Sequence, residues 1–104
     1  MRVVYKMPGA KAAIKEIPNE LRYLQQLVGG YIETVRLSEH LVLICNEEGK
    51  LGGLEPNIYV QSISDIVCGP VIFVGVKGDQ FVSLNKGDAE HLAGLFRGEE
   101  VRYA

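Results

Sequence analysis

Hydrophobic residues recur at helical spacing over residues 21–28. The recurrence predicts an amphipathic helix whose apolar stripe consists of Leu21, Leu24, Leu27 and Val28. Asn19 is the predicted N-cap, because its side chain can accept a hydrogen bond from a backbone N–H of the first turn. Gly29 and Gly30 end the helix, since glycine adopts the left-handed conformation of a helix C-terminus without steric cost.

A second helix is predicted over residues 86–97. Asn85 is its N-cap, and Asp88 follows three residues later, close to a capping-box arrangement. Gly98 ends the helix. Its apolar stripe consists of Ala89, Leu92, Leu95 and Phe96.

Between the two helices the hydrophobic pattern is typical of β-strands. Residues 31–37 are rich in β-branched and aromatic side chains, and residues 41–46 are apolar almost throughout. These segments predict a hairpin joined at residues 38–40, with the second strand covered on both faces. Residues 66–76 predict one long strand, in which Gly69 and Pro70 mark a bulge or an edge position.

Shorter β segments complete the pattern at residues 2–6, 12–17, 58–60 and 80–82. Together these elements predict an α+β fold: one domain over residues 1–104, with a single mainly antiparallel sheet of about five or six strands and two helices packed on it. One core is expected to bury Leu24, Leu43, Ile44, Ile72, Phe73, Leu92 and Leu95 together.

An exposed strand edge is expected at the Gly-Pro interruption of residues 66–76. Such an edge invites pairing with a second chain. Together with the small size of the chain and the C-terminal segment of Val101 to Tyr103, to which no other role is assigned, it predicts a homo-oligomer.

Composition excludes some classes of function. Lys and Arg number 11 and Asp and Glu 13, a net charge of −2. This charge disfavours non-specific binding to DNA or RNA, which needs a basic face to displace counterions. No apolar run reaches the roughly 20 residues of a membrane span, and the N-terminus turns polar too early for a signal peptide. Cys45 and Cys68 lie in apolar runs, as expected of reduced, buried thiols in a cytoplasmic protein.

Catalytic constellations are missing from the sequence. His40 and His91 have no second ligand at metal spacing, so no metal site is predicted. A pairing of His40 with Cys45 is conceivable, but a reactive thiolate needs a partly exposed, electropositive setting. Nucleotide-binding glycine motifs are also lacking. The sequence therefore indicates a protein without enzyme activity or cofactor, and a small hydrolase is the least favoured class.

The long connection over residues 46–57 carries the candidate binding chemistry. It combines flexible glycines with amide and cationic side chains, which can bind a phosphate or the edge of a base. The predicted ligand-binding residues are Arg36 and Lys50 for charge, Asn46 and Asn57 for hydrogen bonds, and Tyr59 for stacking on a base. A solvated turn remains the alternative interpretation of the loop, and the carboxylates of Glu47 and Glu48 count against an anionic ligand.

Several motifs in order resemble one family of small proteins. They are LVGGYIE at residues 27–33, LICNEEGK at residues 43–50 and the Pro-Asn pair at residues 56–57. The chain looks like a family of unknown function found in phages, plasmids and Firmicutes genomes. The resemblance implies an origin on mobile elements and no established enzyme activity. It suggests a protein that sequesters a small anionic, nucleotide-like signal to counter host defence; the alternative is an interaction module that inhibits a host protein directly.

Overall fold

Short strands joined by turns make up most of the chain. The computed structural model describes residues 1–97. Its strands are β1 (Arg2–Lys6), β2 (Ala13–Glu16), β3 (Ile32–Arg36), β4 (Leu41–Asn46), β5 (Pro56–Val60), β6 (Asp65–Cys68), β7 (Val71–Lys77) and β8 (Gln80–Val82). The helices are α1 (Leu21–Val28) and α2 (Lys86–Leu95), and a 3-10 turn spans Gln61–Ile63.

Six strands form one antiparallel sheet in the order β2-β1-β7-β4-β3, with β8 paired to the end of β7. β5 and β6 form a separate two-stranded sheet. The predicted α+β class, the antiparallel sheet and both helices are therefore confirmed.

Two hydrophobic cores lie on opposite faces of the six-stranded sheet. On one face α1 contributes Leu24 and Val28 to a core with Ile44 and Ile72. On the other face, α2 and the small sheet pack over a core that includes Val4, Leu43, Val67, Phe73, Leu92 and Phe96. The prediction of a single shared core is wrong, because successive residues of a strand point to opposite faces. Leu95 stays 43% exposed.

Residues 66–76 do not form the predicted single strand. Gly69 has a φ of 90°, and with Pro70 it turns the chain out of β6 and into β7. The side chain of Leu54 packs so closely against Gly69 that an added Cβ would lie 2.6 Å from its Cδ1. β7 pairs with both β1 and β4, so residues 71–75 lie between two strands, whereas β6 pairs only with β5 and its other edge has no strand partner among residues 1–97. Residues 98–104, including the C-terminal run of Val101 to Tyr103, lie outside the described residues.

The helix ends follow the sequence signals only in part. Asn85 caps α2 as predicted, accepting a hydrogen bond from the backbone N–H of Asp88 at 2.7 Å. Gly29 ends α1 in the left-handed conformation. The predicted cap of α1 is wrong: Glu20 holds the N-cap position, and Asn19 instead donates to the carbonyl oxygen of Phe81 at 3.0 Å.

Candidate functional site

A cleft of about 440 Å³ lies between the edge strand β3 and strand β6 of the small sheet. Four consecutive residues of each strand line it, residues 33–36 and residues 65–68. Because side chains alternate between faces, a consecutive run of lining residues means that the cleft follows the strand edges as well as one sheet face. The rest of the lining comes from the end of β4, the loop after it and the 3-10 turn.

The outer edge of β3 presents unpaired backbone groups. The N–H of Glu47 donates to the carbonyl oxygen of Tyr31, and the N–H of Leu37 donates to that of Leu41. In an antiparallel pair hydrogen-bonded and non-hydrogen-bonded residues alternate, so these two bonds fix the register of the whole ladder. The N–H and C=O groups of three β3 residues therefore point away from β4: Ile32, Thr34 and Arg36. Among residues 1–97, no strand pairs with this edge.

The loop after β4 is held against β6 by a close backbone approach. Gly49 is buried, and a Cβ there would collide with the carbonyl oxygen of Cys68. The N–H of Leu54 donates to the carbonyl oxygen of Gly49 at 2.9 Å, which closes a turn. The segment is thus a series of hydrogen-bonded turns, and it ends where β5 begins at Pro56. Glycine at position 49 lets the loop form one wall of the cleft.

Lys50 lines the cleft, and its ammonium group is paired. It forms a salt bridge with the carboxylate of Asp65, which also accepts a hydrogen bond from the N–H of Ile66. These partners lower the pKa of Asp65, the hydrogen bond from Lys50 most of all. The positive charge expected to attract an anion is thus balanced within the cleft.

Carboxylates dominate the remaining charge of the cleft. Glu33 and Glu47 line it, and neither forms an ion pair with any residue that the structure describes. Burial raises the pKa of the Cys45 thiol to about 11, and the nearby charge of Glu33 adds to the rise. Cys45 is thus a neutral thiol, and the negative charge of Glu33 acts on this residue of the cleft wall.

Arg36 lines the cleft only at the strand edge. Val35 packs into the core under α2, whereas Ile32 packs into the core under α1, so Arg36 shares the α1 side of the sheet. Its guanidinium donates to the carbonyl oxygens of Ser38 and Glu39, at 3.4 and 2.9 Å. The structure thus does not place the charges of Arg36 and Lys50 on one face, although both residues border the cleft.

Asn46 borders the cleft with its side chain engaged elsewhere. Its Nδ2 donates to the carbonyl oxygen of Val28 at 3.1 Å, and its Oδ1 accepts from the N–H of Glu48 at 2.8 Å. A Cβ at Gly30 would lie 2.8 Å from that Nδ2. The side chain of Asn46 ties the end of α1 to the turn after β4.

Asn57 lies in β5, outside the cleft, and is 1% exposed. Its Nδ2 donates to the carbonyl oxygens of Lys6 and Gly69 at 2.9 and 2.8 Å. Its Oδ1 accepts from the ammonium group of Lys6 at 2.5 Å, and Lys6 is likewise 1% exposed. Burial lowers the pKa of Lys6. The amide of Asn57 is therefore saturated with internal hydrogen bonds.

Tyr59 is half-buried on β5 and does not line the cleft. Its neighbours Ile58 and Val60 enter the core under α2, so Tyr59 lies on the opposite face of the small sheet. Of the five residues predicted from the sequence, the structure thus brings three to the cleft: Arg36, Asn46 and Lys50.

The sequence predicted that Glu47 lies beside the site, but it did not indicate Glu33 or any residue of the β6 wall. Because side chains alternate along a strand, the sequence alone places Glu33 and Val35 on the face of β3 opposite to Arg36. This alternation could therefore have predicted the position of Glu33. Nothing in the sequence indicates that Lys50 meets Asp65, because that contact joins the loop after β4 to a separate sheet that only the tertiary fold brings beside it.

The rest of the described chain offers a second groove but no metal-binding cluster. A second, more apolar groove of about 410 Å³ lies beside α1, with Tyr5, Met7, Leu27 and Leu54 among its lining residues. No group of His, Cys, Asp and Glu within residues 1–97 could hold a metal ion. Neither α1 nor α2 has the length and apolar composition that crossing a membrane requires.

Comparison with known proteins identifies a family for most of the chain. A family model described as a domain of unknown function (DUF3846) covers residues 1–97. Neither the curated proteins nor the solved structures yield a match.

Proposed function

We propose that this chain, which belongs to the DUF3846 family of domains of unknown function, is a non-enzymatic interaction module that binds an extended segment of a partner protein along β3. One observation carries the proposal: the outward N–H and C=O groups of Ile32, Thr34 and Arg36 border a cleft and have no strand partner among the described residues. Such an edge accepts an extended peptide as an additional strand, and the main-chain hydrogen bonds supply affinity.

β3 carries only one of the devices that protect strand edges, its charged residues Glu33 and Arg36. Natural edges are blunted by proline, bulges, short length or charged side chains, lysine above all. β3 is five residues long, pairs with β4 without a register shift, and contains neither proline nor lysine. The opposite edge strand, β2, is four residues long and carries Lys15. The contrast favours β3 as the binding edge. In a phage or plasmid setting the partner would be a host protein.

Peptide selection combined with hydrogen exchange tests the proposal. Short linear peptides are selected from a random displayed library against the full chain, and amide exchange is then measured by NMR with and without each binder. We expect binders to slow exchange at Ile32, Thr34 and Arg36. Failure to select any binder, or protection confined to other amides, would contradict the proposal.

Sequestration of a nucleotide-like signal is a second candidate. The cleft volume falls within the range of small-molecule sites, roughly 300–1,000 Å³, and Lys50 lines it. The carboxylates of Glu33 and Glu47 disfavour an anion, which is why this candidate comes second. Calorimetric titration with cyclic dinucleotides and ADP-ribose tests it. Lys50→Ala would weaken binding about tenfold, since a charge-assisted hydrogen bond contributes about 1.5–3 kcal/mol; the exposed Lys77→Ala is the control.

A further inference from the structure

We infer that the segment bound along β3 is basic, with Lys or Arg at alternate positions. The inference rests on the proposed function and adds to it the chemistry of the partner. It follows from the direction of the side chains on each face of β3 and from the charge that remains unpaired in the cleft.

Strand addition fixes which side chains enter the cleft. An added strand continues the pleat of β3, so alternate side chains lie beside Glu33 and Val35 on the face that carries the cleft wall. The intervening side chains lie beside Ile32 and Thr34 on the other face. Only every second residue of the bound segment therefore senses the charge of the cleft.

The charge on the cleft face is negative. The charges of Lys50 and Asp65 offset each other, and the guanidinium of Arg36 is bound to the carbonyls of the 38–40 turn on the other face. Glu33 and Glu47 remain without an ion pair among residues 1–97. A Lys or Arg at alternate positions supplies the opposite charge. Its aliphatic stem can also pack on apolar surface such as Ile63, which is 47% exposed.

A second copy of β3 does not supply this charge. Pairing Thr34 with Thr34 of a second chain brings all the outward backbone groups into antiparallel register, with Glu33 opposite Val35. The cleft face of β3 carries Glu33 and Val35, and a copy would add another carboxylate to it without adding a cation. A basic segment from a different protein is therefore the better complement.

Synthetic peptides test the inference directly. The probe is a capped hexapeptide, Lys-Val-Lys-Thr-Lys-Val, and the control replaces each Lys with Glu. Binding to the full chain is measured by fluorescence anisotropy at low and high salt. We expect the Lys peptide to bind at least tenfold more tightly than the Glu peptide, with affinity falling as salt rises. Equal binding of the two peptides would overturn the inference.

Matched variants separate charge from strand pairing. Glu33→Gln combined with Glu47→Gln should weaken the Lys peptide about five- to tenfold, as expected for two partly exposed charge pairs, whereas Glu90→Gln on α2 should not. Thr34→Pro removes one outward N–H and should abolish binding of any peptide. Ile14→Pro is the control at the other edge of the sheet. The N–H of Ile17 donates to the carbonyl oxygen of Met1, and this bond sets the alternation along β2. The backbone N–H of Ile14 therefore also points away from the sheet.

The two proposals fail in different ways. If Thr34→Pro abolishes binding but the charge of the peptide has no effect, strand addition stands and the basic partner is wrong. If Thr34→Pro binds the Lys peptide as well as the parent chain does, strand addition along β3 is wrong. If sedimentation shows a dimer that Thr34→Pro dissociates, the occupant of the edge is a second copy and the inference is overturned.

Discussion

Asn57 is the residue on which a buried polar network depends. Removing its amide leaves the ammonium of Lys6 and the carbonyl of Gly69 without these partners in a site that excludes water. Asn57→Ala should therefore lower the free energy of unfolding by about 3 kcal/mol, measured by urea denaturation. Asn19→Ala, which removes one exposed hydrogen bond to Phe81, is the control and should cost less than about 1 kcal/mol. Equal losses would show that the network does not stabilise the fold.

Cys45 gives the fold a dependence on alkaline pH. Its thiol titrates at about 11 in the folded chain, against 9.0 for an unperturbed thiol. Between these values the unfolded chain releases the proton and the folded chain keeps it, so stability falls as pH rises from 9 to about 11. Comparing Cys45→Val with the parent chain cancels the other titrating groups. The parent should lose more stability across this window, and parallel curves would contradict the assignment.

At the level of elements, Gly69 separates β6 from β7. Gly69→Ala forces a side chain into a left-handed conformation and against Leu54. Gly9 has a φ of 75°, and a Cβ added there would meet no other atom. Gly9→Ala therefore measures only the cost of placing alanine in the left-handed conformation, about 1–2 kcal/mol. Thermal denaturation should show a larger loss for Gly69→Ala than for Gly9→Ala. A smaller loss would mean that Leu54 moves aside freely.

The elements themselves were largely predictable, and their partners were not. Strands 2–6, 41–46 and 80–82 and both helices follow from local periodicity, which adjacent residues determine. A Gly-Pro pair is compatible with a bulge or with a chain reversal, and only the tertiary pairing of β7 with β1 and β4 selects the reversal. Asn57 was expected to hydrogen-bond a ligand because it ends a connection that combines glycines, amides and a cation. Its burial depends on Lys6, which is distant in sequence.

At the scale of the whole molecule, the two cores share the strands β1, β4 and β7. A substitution that leaves a cavity in one core should therefore destabilise both cores. Leu43→Ala in the core under α2 and Leu24→Ala on α1 itself should each cost about 2–5 kcal/mol. Leu21→Ala, at a position 58% exposed, should cost far less. Far-UV circular dichroism and tyrosine fluorescence should give coincident transitions for each variant. Two separated transitions would show that the cores unfold independently.

The central position of β7 also determines when the protein can fold during its synthesis. The β1–β2 and β3–β4 hairpins form no strand pairs with each other, and both bond to β7, which begins only at Val71. For a few seconds of translation, both hairpins therefore emerge from the ribosome with no common sheet to cover their apolar faces. A nascent chain arrested before Val71 has the two hairpins and no core joining them, which makes it a substrate for chaperones and proteases until β7 arrives.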